Sequence, residues 1–296
     1  MISVVLAQIT TRDRITLDGI VIEPRKKSAT ALIWIHGLGS NFSHGQSITR
    51  ELSQTCLKNG IAYFKFNTRG HDVVNRDAPK RKAQTIVNRL RGAGFERFED
   101  CVLDIRAVIH FARKLGYRKV ILVGHSTGAN KALYYLYKTK DPAVKGLILL
   151  GAVSDIAAGR KKFGATGLAR GIALAEKRAR KNSDALMPLP YGIFSAKRFL
   201  SMFRQGDSED VFPYLNPRAA WKELKTIRAP IAVIFGSRDQ YLDRPAEKLV
   251  EIFRSHALST KSFSGVIIKG ADHGFKGKEK MLSKVVMDWI QQQAVV

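Results

Sequence analysis

The chain has 296 residues, 45% of them hydrophobic, and carries 50 Lys and Arg against 25 Asp and Glu, a formal net charge of +25. That apolar share is ample for a buried parallel sheet, and the length suits one α/β domain with a single insertion. No uninterrupted apolar run approaches the roughly 20 residues of a membrane-spanning helix, and Cys56 and Cys101, with no CxxC pair or metal-ligand cluster around them, read as core residues rather than a disulfide.

In chain order, residues 4–9 and 15–22 alternate apolar and polar side chains around Thr11-Arg12-Asp13-Arg14, the pattern of an opening β-hairpin. The first residues lack the basic start and long apolar stretch of a signal peptide, so a cytoplasmic protein is expected. Residues 31–35 form a buried strand that runs into His36-Gly37-Leu38-Gly39-Ser40-Asn41, and residues 46–58 are an amphipathic helix. A stretch from Arg76 to Arg91, holding Lys80-Arg81-Lys82, concentrates positive charge. Residues 95–115 predict a second amphipathic helix whose buried stripe includes Phe98, Val102, Ile105, Ile109 and Leu115. Residues 119–123 are a β-branched strand leading into Gly124-His125-Ser126-Thr127-Gly128, and residues 127–138 a helix burying Ala129, Ala132, Leu133 and Leu136. The strand at residues 144–150 follows. Such alternation of strand and helix predicts a mostly parallel, doubly wound sheet.

The alternation breaks between residues 156 and 221. Here lie a basic helix at residues 169–180, the stretch Met187-Pro188-Leu189-Pro190-Tyr191-Gly192, and Phe194, Phe199 and Phe203. Two readings stand side by side: a lid over a hydrophobic acyl or aryl pocket, or a surface excursion packing its aromatics on the core. The expected division is a core of residues 1–155 and 222–296 with an inserted segment at 156–221. Strands at residues 229–235 and 263–269 then run into Gly236-Ser237-Arg238-Asp239 and Gly270-Ala271-Asp272-His273-Gly274-Phe275, with helices expected at residues 244–256 and 278–293.

The Gly-x-Ser-x-Gly pentapeptide has the form of a nucleophile elbow, where a strand ends, the chain turns sharply and a helix begins, leaving a serine exposed on a strained corner. A serine hydroxyl is a poor nucleophile at neutral pH. It needs a base, an orienter for that base, and donors for the developing oxyanion. In this class the partners follow in the order serine, acid, histidine. Ser126, Asp239 and His273 satisfy that order, each just beyond a strand, and the ends of parallel strands lie along one sheet edge. Asp239 would hold the imidazole tautomer while His273 takes and returns the serine proton. Asp243 and, more weakly, Asp155 are reserve acids, and Asp272 shapes the histidine loop. Backbone amides of Leu38 and Thr127 are the expected oxyanion donors. His36 reads as a loop anchor rather than a second base.

Through His36-Gly37-Leu38-Gly39, Asn67-Thr68-Arg69-Gly70-His71, Gly124-His125-Ser126-Thr127-Gly128, Gly236-Ser237-Arg238-Asp239 and Ala271-Asp272-His273, the chain resembles the α/β-hydrolase superfamily over nearly its whole length. Gly124-His125-Ser126-Thr127-Gly128-Ala129 and Gly151-Ala152-Val153-Ser154-Asp155 further resemble a group that includes fungal siderophore esterases. The resemblance implies an α/β-hydrolase sheet with an inserted helical lid, and ester hydrolysis without a metal or organic cofactor. Asn67-Thr68-Arg69-Gly70-His71-Asp72 departs from the common form, in which an acidic residue often precedes the arginine and glycine. That segment usually shapes the pocket floor.

The leading functional expectation is therefore a serine hydrolase acting on a small carboxylic ester. A peptidase, thioesterase or carbon–carbon hydrolase would use the same triad, because the bond cleaved depends on the pocket. The charge of +25 admits an acidic or amphiphilic substrate, or a nucleic-acid- or anionic-membrane-associated binding protein on a hydrolase scaffold. No helix-turn-helix, zinc or RNP-like motif favours the latter.

Overall fold

The structure is a computed structural model, and it describes residues 2–76 and 90–293; the basic Lys80-Arg81-Lys82 stretch lies outside them. Strands β1 (Val5–Thr10) and β2 (Thr16–Ile22) pair antiparallel, Val5 opposite Val21 and Thr10 opposite Thr16. Thr11 closes the hairpin, since its hydroxyl oxygen accepts from the Ile15 N–H at 2.9 Å. Strands β3 (Thr30–Ile35), β4 (Ala62–Phe66), β5 (Lys119–His125), β6 (Val144–Leu150), β7 (Ile231–Gly236) and β8 (Phe263–Ile268) follow. The eight form one sheet in the order β1-β2-β4-β3-β5-β6-β7-β8. From β4 to β8 every pairing is parallel, and β2 joins β4 antiparallel. Strands β3, β4 and β7 are buried at every position, so they read as near-continuous apolar runs, interrupted in β4 by Lys65, rather than as an alternation.

Helices cover both faces. On one lie α1 (Gln46–Lys58) and α7 (Glu279–Gln292), around Leu52, Cys56, Leu282 and Trp289. On the other lie α2 (Cys101–Lys114), α3 (Thr127–Thr139) and α6 (Ala246–His256), around Cys101, Ile105, Leu133 and Phe253. Both cysteines are free and buried. Among the described residues no helix is long and apolar enough to cross a membrane.

Two elements differ from expectation. Helix α2 begins at Cys101 after a 3-10 turn at Phe98–Asp100, not at residue 95, and Leu115 caps it half-exposed instead of joining the buried stripe. The segment before it is held by its own turns, with the Glu96 N–H donating to Gly92 O at 2.9 Å. The basic helix expected at residues 169–180 belongs to α4 (Asp155–Lys181), which starts at an N-cap, Ser154, and kinks at Gly164, where φ is 72°. Four glycines along it lower helix propensity and hide its first half from a periodicity reading.

With α5 (Ala196–Phe203), α4 builds a third, smaller apolar cluster. Its rings face one another: Phe199 and Phe203 are 4.7 Å apart, Tyr191 and Phe199 5.3 Å, and Phe163 and Tyr191 5.4 Å. Leu38 packs against this cluster, which brings the excursion onto the loop after β3.

Candidate active site

Four loops at the carboxyl ends of β3, β5, β7 and β8 meet at one edge of the sheet, the usual place for ligands in open α/β folds. Ser126 stands between β5 and α3 with φ 57° and ψ −130°, a region costly for a residue with a β-carbon. The surroundings hold it there. Its N–H donates to Leu150 O at 2.9 Å, and its carbonyl accepts from Ala129 N–H at 2.8 Å. A β-carbon on Gly124 would collide with the Gly128 backbone, and one on Gly128 with the Ile35 carbonyl, so both flanking glycines are required by close approach.

Asp239 and His273 are both buried, and Asp239 Oδ2 meets His273 Nδ1 at 2.7 Å. Asp239 is fixed in its turn as Oδ1 accepts from Tyr241 N–H at 2.9 Å. The histidine loop has two further ties: His273 N–H donates to Gln240 Oε1 at 3.2 Å, and His125 Nε2 donates to His273 O at 2.8 Å. The Tyr241 ring meets the imidazole edge-on at 4.6 Å. From α4, Lys161 Nζ donates to the carbonyls of Gln240 and Leu242, fastening that helix to the loop that carries Asp239.

Ser126 Oγ makes no hydrogen bond among the described residues, to His273 or to any other group. Such contacts commonly tighten only when substrate is present. Neither reserve acid meets the imidazole: Asp243 pairs with Arg244 at 2.8 Å, and Asp155 accepts from Asn130 Nδ2 at 3.3 Å. Asp272 shapes its loop, its side chain accepting from Lys276 N–H and its carbonyl from Phe275 N–H.

The loop after β3 folds over the elbow so closely that a β-carbon on Gly37 would lie 2.8 Å from Ser126 Cβ. His36 anchors it. Its Nε2 accepts from Thr68 N–H at 3.0 Å, which leaves the proton on Nδ1, and Nδ1 donates to Gly37 O at 2.9 Å. Burial, with Lys131 nearby, brings the His36 pKa down to about 3, so it stays neutral. The Leu38 N–H donates to no acceptor among the described residues. Thr127 is the first residue of α3, where an amide has no partner within the helix.

Behind the site lies a buried charge network that sequence reasoning missed. Lys131, on α3, donates to Glu96 Oε2 at 2.7 Å and to Thr68 Oγ1 at 3.3 Å. Arg198, on α5, donates to Glu96 Oε1 at 3.0 Å and forks onto Glu209. Burial alone would raise the Glu96 pKa, but Lys131 and Arg198 beside it hold the carboxyl below its usual range. The available signal was Lys131 itself, a cation among small and apolar residues in the first turns of α3. Arg69 is likewise committed, to Asp104 at 2.7 Å and to Asp13 at 2.8 Å.

The family described as "Protein of unknown function (DUF1749)" matches residues 91–293. No curated protein matches the sequence. Among solved structures, the siderophore hydrolase EstB from Aspergillus fumigatus has a TM-score of 0.68 at 20% identity, covering 95% of this chain and 95% of that one. Est1E from Butyrivibrio proteoclasticus, with ferulic acid bound, has a TM-score of 0.66 at 16% identity over 98% of this chain and 100% of that one. The esterase Pf2001 of Pyrococcus furiosus reaches 0.63 at 17% identity over 98% and 91%. These likenesses establish the α/β-hydrolase fold.

Proposed function

The chain belongs to the DUF1749 family, and from its α/β-hydrolase fold and the geometry above we propose that it is a serine hydrolase cleaving a carboxylic ester through an acyl-serine intermediate. One observation carries the reading most: a buried Asp239–His273 pair, 2.7 Å apart, at the same sheet edge as a serine on a strained elbow. The structural neighbours named as esterases and as a siderophore hydrolase support the choice of an ester bond.

In this reading Ser126 Oγ attacks the ester carbonyl carbon while its proton passes to His273 Nε2. Asp239 keeps the His273 proton on Nδ1 and stabilises the imidazolium that forms. The amides of Leu38 and Thr127 point at the oxyanion of the tetrahedral intermediate. Collapse expels the alkoxide, which takes the proton from His273 and leaves as the alcohol. Water then attacks the acyl-serine, giving up its proton to His273, and release of the carboxylic acid returns that proton to Ser126. The cationic surface would favour an acidic or amphiphilic ester.

Turnover of p-nitrophenyl esters, acyl-thioesters and aminoacyl-anilides tests this. Esters should be hydrolysed fastest, and Ser126→Ala should lower kcat/KM by roughly a thousandfold or more, because nucleophile and base act as a unit. Anilide turnover faster than ester turnover, or an unimpaired Ser126→Ala variant, contradicts the proposal.

A further inference from the structure

Away from the carboxyl edge of the sheet, the opposite edge carries a cleft of about 790 Å³. It lies where α3 ends, where β6 begins and where the chain enters β7 and β8, so the sheet separates it from Ser126. Its volume falls within the range of about 300–1,000 Å³ typical of small-ligand sites. Leu136, Val144 and Ile227, all buried, contribute apolar surface to its lining.

Four cations line it: Lys140, Lys145, Arg228 and Lys261. They are not a scatter of lysines on one helix face, because they come from three separate backbone features. Lys140 caps α3 in the left-handed region at φ 48°. Lys145 is the extra residue of a bulge, since Val120 pairs with Val144 and Ile121 with Gly146, and such bulges redirect a side chain. Arg228 and Lys261 are joined through the backbone, with Lys261 N–H donating to Arg228 O at 3.1 Å.

Among the described residues none of the four takes part in an ion pair. The one carboxylate of the lining, Asp141, is already engaged, accepting from the Tyr135 hydroxyl at 2.6 Å and from Ala143 N–H at 2.9 Å. Four exposed cations against one carboxylate leave the lining with a net positive charge, which suits a ligand with several phosphate oxygens that Arg and Lys bind through charge-assisted hydrogen bonds. The apolar lining would hold the rest of that ligand.

We propose that this cleft binds a small ligand carrying a di- or triphosphate on an apolar or aromatic body, of nucleoside-triphosphate size. The inference does not depend on the chemistry at Ser126.

Calorimetric titration of the full-length protein with ATP, inorganic triphosphate and a single-stranded RNA oligonucleotide tests it. Two double variants carry the same charge change: Arg228→Glu with Lys261→Glu in the cleft, and Lys177→Glu with Arg180→Glu on exposed α4. Saturable binding of one ATP per chain is expected, tighter than that of triphosphate. The cleft pair should weaken it by at least about tenfold, the loss expected for a hydrogen bond to a charged group, and the α4 pair should leave it unchanged. Thermal unfolding without ligand confirms that both variants are folded, and only proteins that bind ATP should gain stability from it. Absence of saturable binding, or equal weakening by the two pairs, would overturn the proposal in favour of a diffuse field. Equal affinity for ATP and triphosphate, or RNA bound more tightly than ATP, would overturn the ligand assigned.

Discussion

His125 shows how much a single residue beside Ser126 can do. It precedes Ser126, yet its Nε2 donates to the backbone of His273, and its ring lies 5.1 Å from the His273 ring. Elbow and histidine loop are therefore tied directly to each other. Replacing His125 by Phe keeps an aromatic ring and removes the donor. Under the hydrolase reading kcat should fall on the order of ten- to a hundredfold with little change in KM, since a small misplacement of a catalytic group is that costly. Ester turnover checks it, and an unchanged kcat contradicts the role. His125 is also brought down to a pKa of about 4 by burial and by neighbouring His273, and His36 to about 3 by burial and by Lys131. In the unfolded chain each titrates near 6.5. Between those values the unfolded state binds more protons, so stability is complete above about 6.5 and is lost as pH falls toward 4 and then 3. Thermal unfolding from pH 7 to 4 should accordingly be steeper for the wild type than for His125→Phe; parallel curves contradict the assignment. Of this site, the Asp239–His273 pair was legible in the sequence, because each residue follows a strand in the order expected after the Ser126 turn. His125 was not, because its partner is a backbone carbonyl 148 positions away that no local pattern records.

Among the elements, α3 was readable as a helix, but it is buried beyond the stripe its pattern marks. Thr127 to Leu136 of α3 are buried on all sides, so its amphipathic stripe describes only part of the helix. Lys131 is fully buried there because Glu96 and Thr68 receive it, and Glu96 in turn faces Arg198 from α5. The network joins α3, the segment before α2, and α5 with the chain just after it, through charges that cannot reach water. Removing one member leaves the others unpaired. Arg198→Met should therefore cost roughly 3–5 kcal/mol of stability, the usual penalty for breaking a buried pair, as read from urea unfolding. A loss below about 1 kcal/mol, the scale of exposed pairs, contradicts that view. Seven of the eight sheet strands and the helices α1, α3, α6 and α7 were readable as apolar runs or periodic stripes, whereas β4, short and interrupted by Lys65, was not. Half of α4 was not, since its glycines and its kink at Gly164 break the pattern.

For the whole molecule, the parallel sheet does the organising. Its apolar strands are buried between two helical layers, and their parallel pairing gathers the loops after β3, β5, β7 and β8 at one edge. The alternation of strand and helix made this architecture readable from the sequence; the opposite edge, where the basic cleft lies, is formed by residues that no motif marks. The proposed function requires the fold to make one hydroxyl, that of Ser126, reactive toward acyl groups. Its most direct test is labelling with a fluorophosphonate followed by intact-mass and peptide analysis. One adduct per chain, on Ser126, is expected in the wild type, absent from Ser126→Ala and greatly slowed in His273→Ala. Labelling that persists in Ser126→Ala, or that proceeds equally fast without His273, would contradict the account.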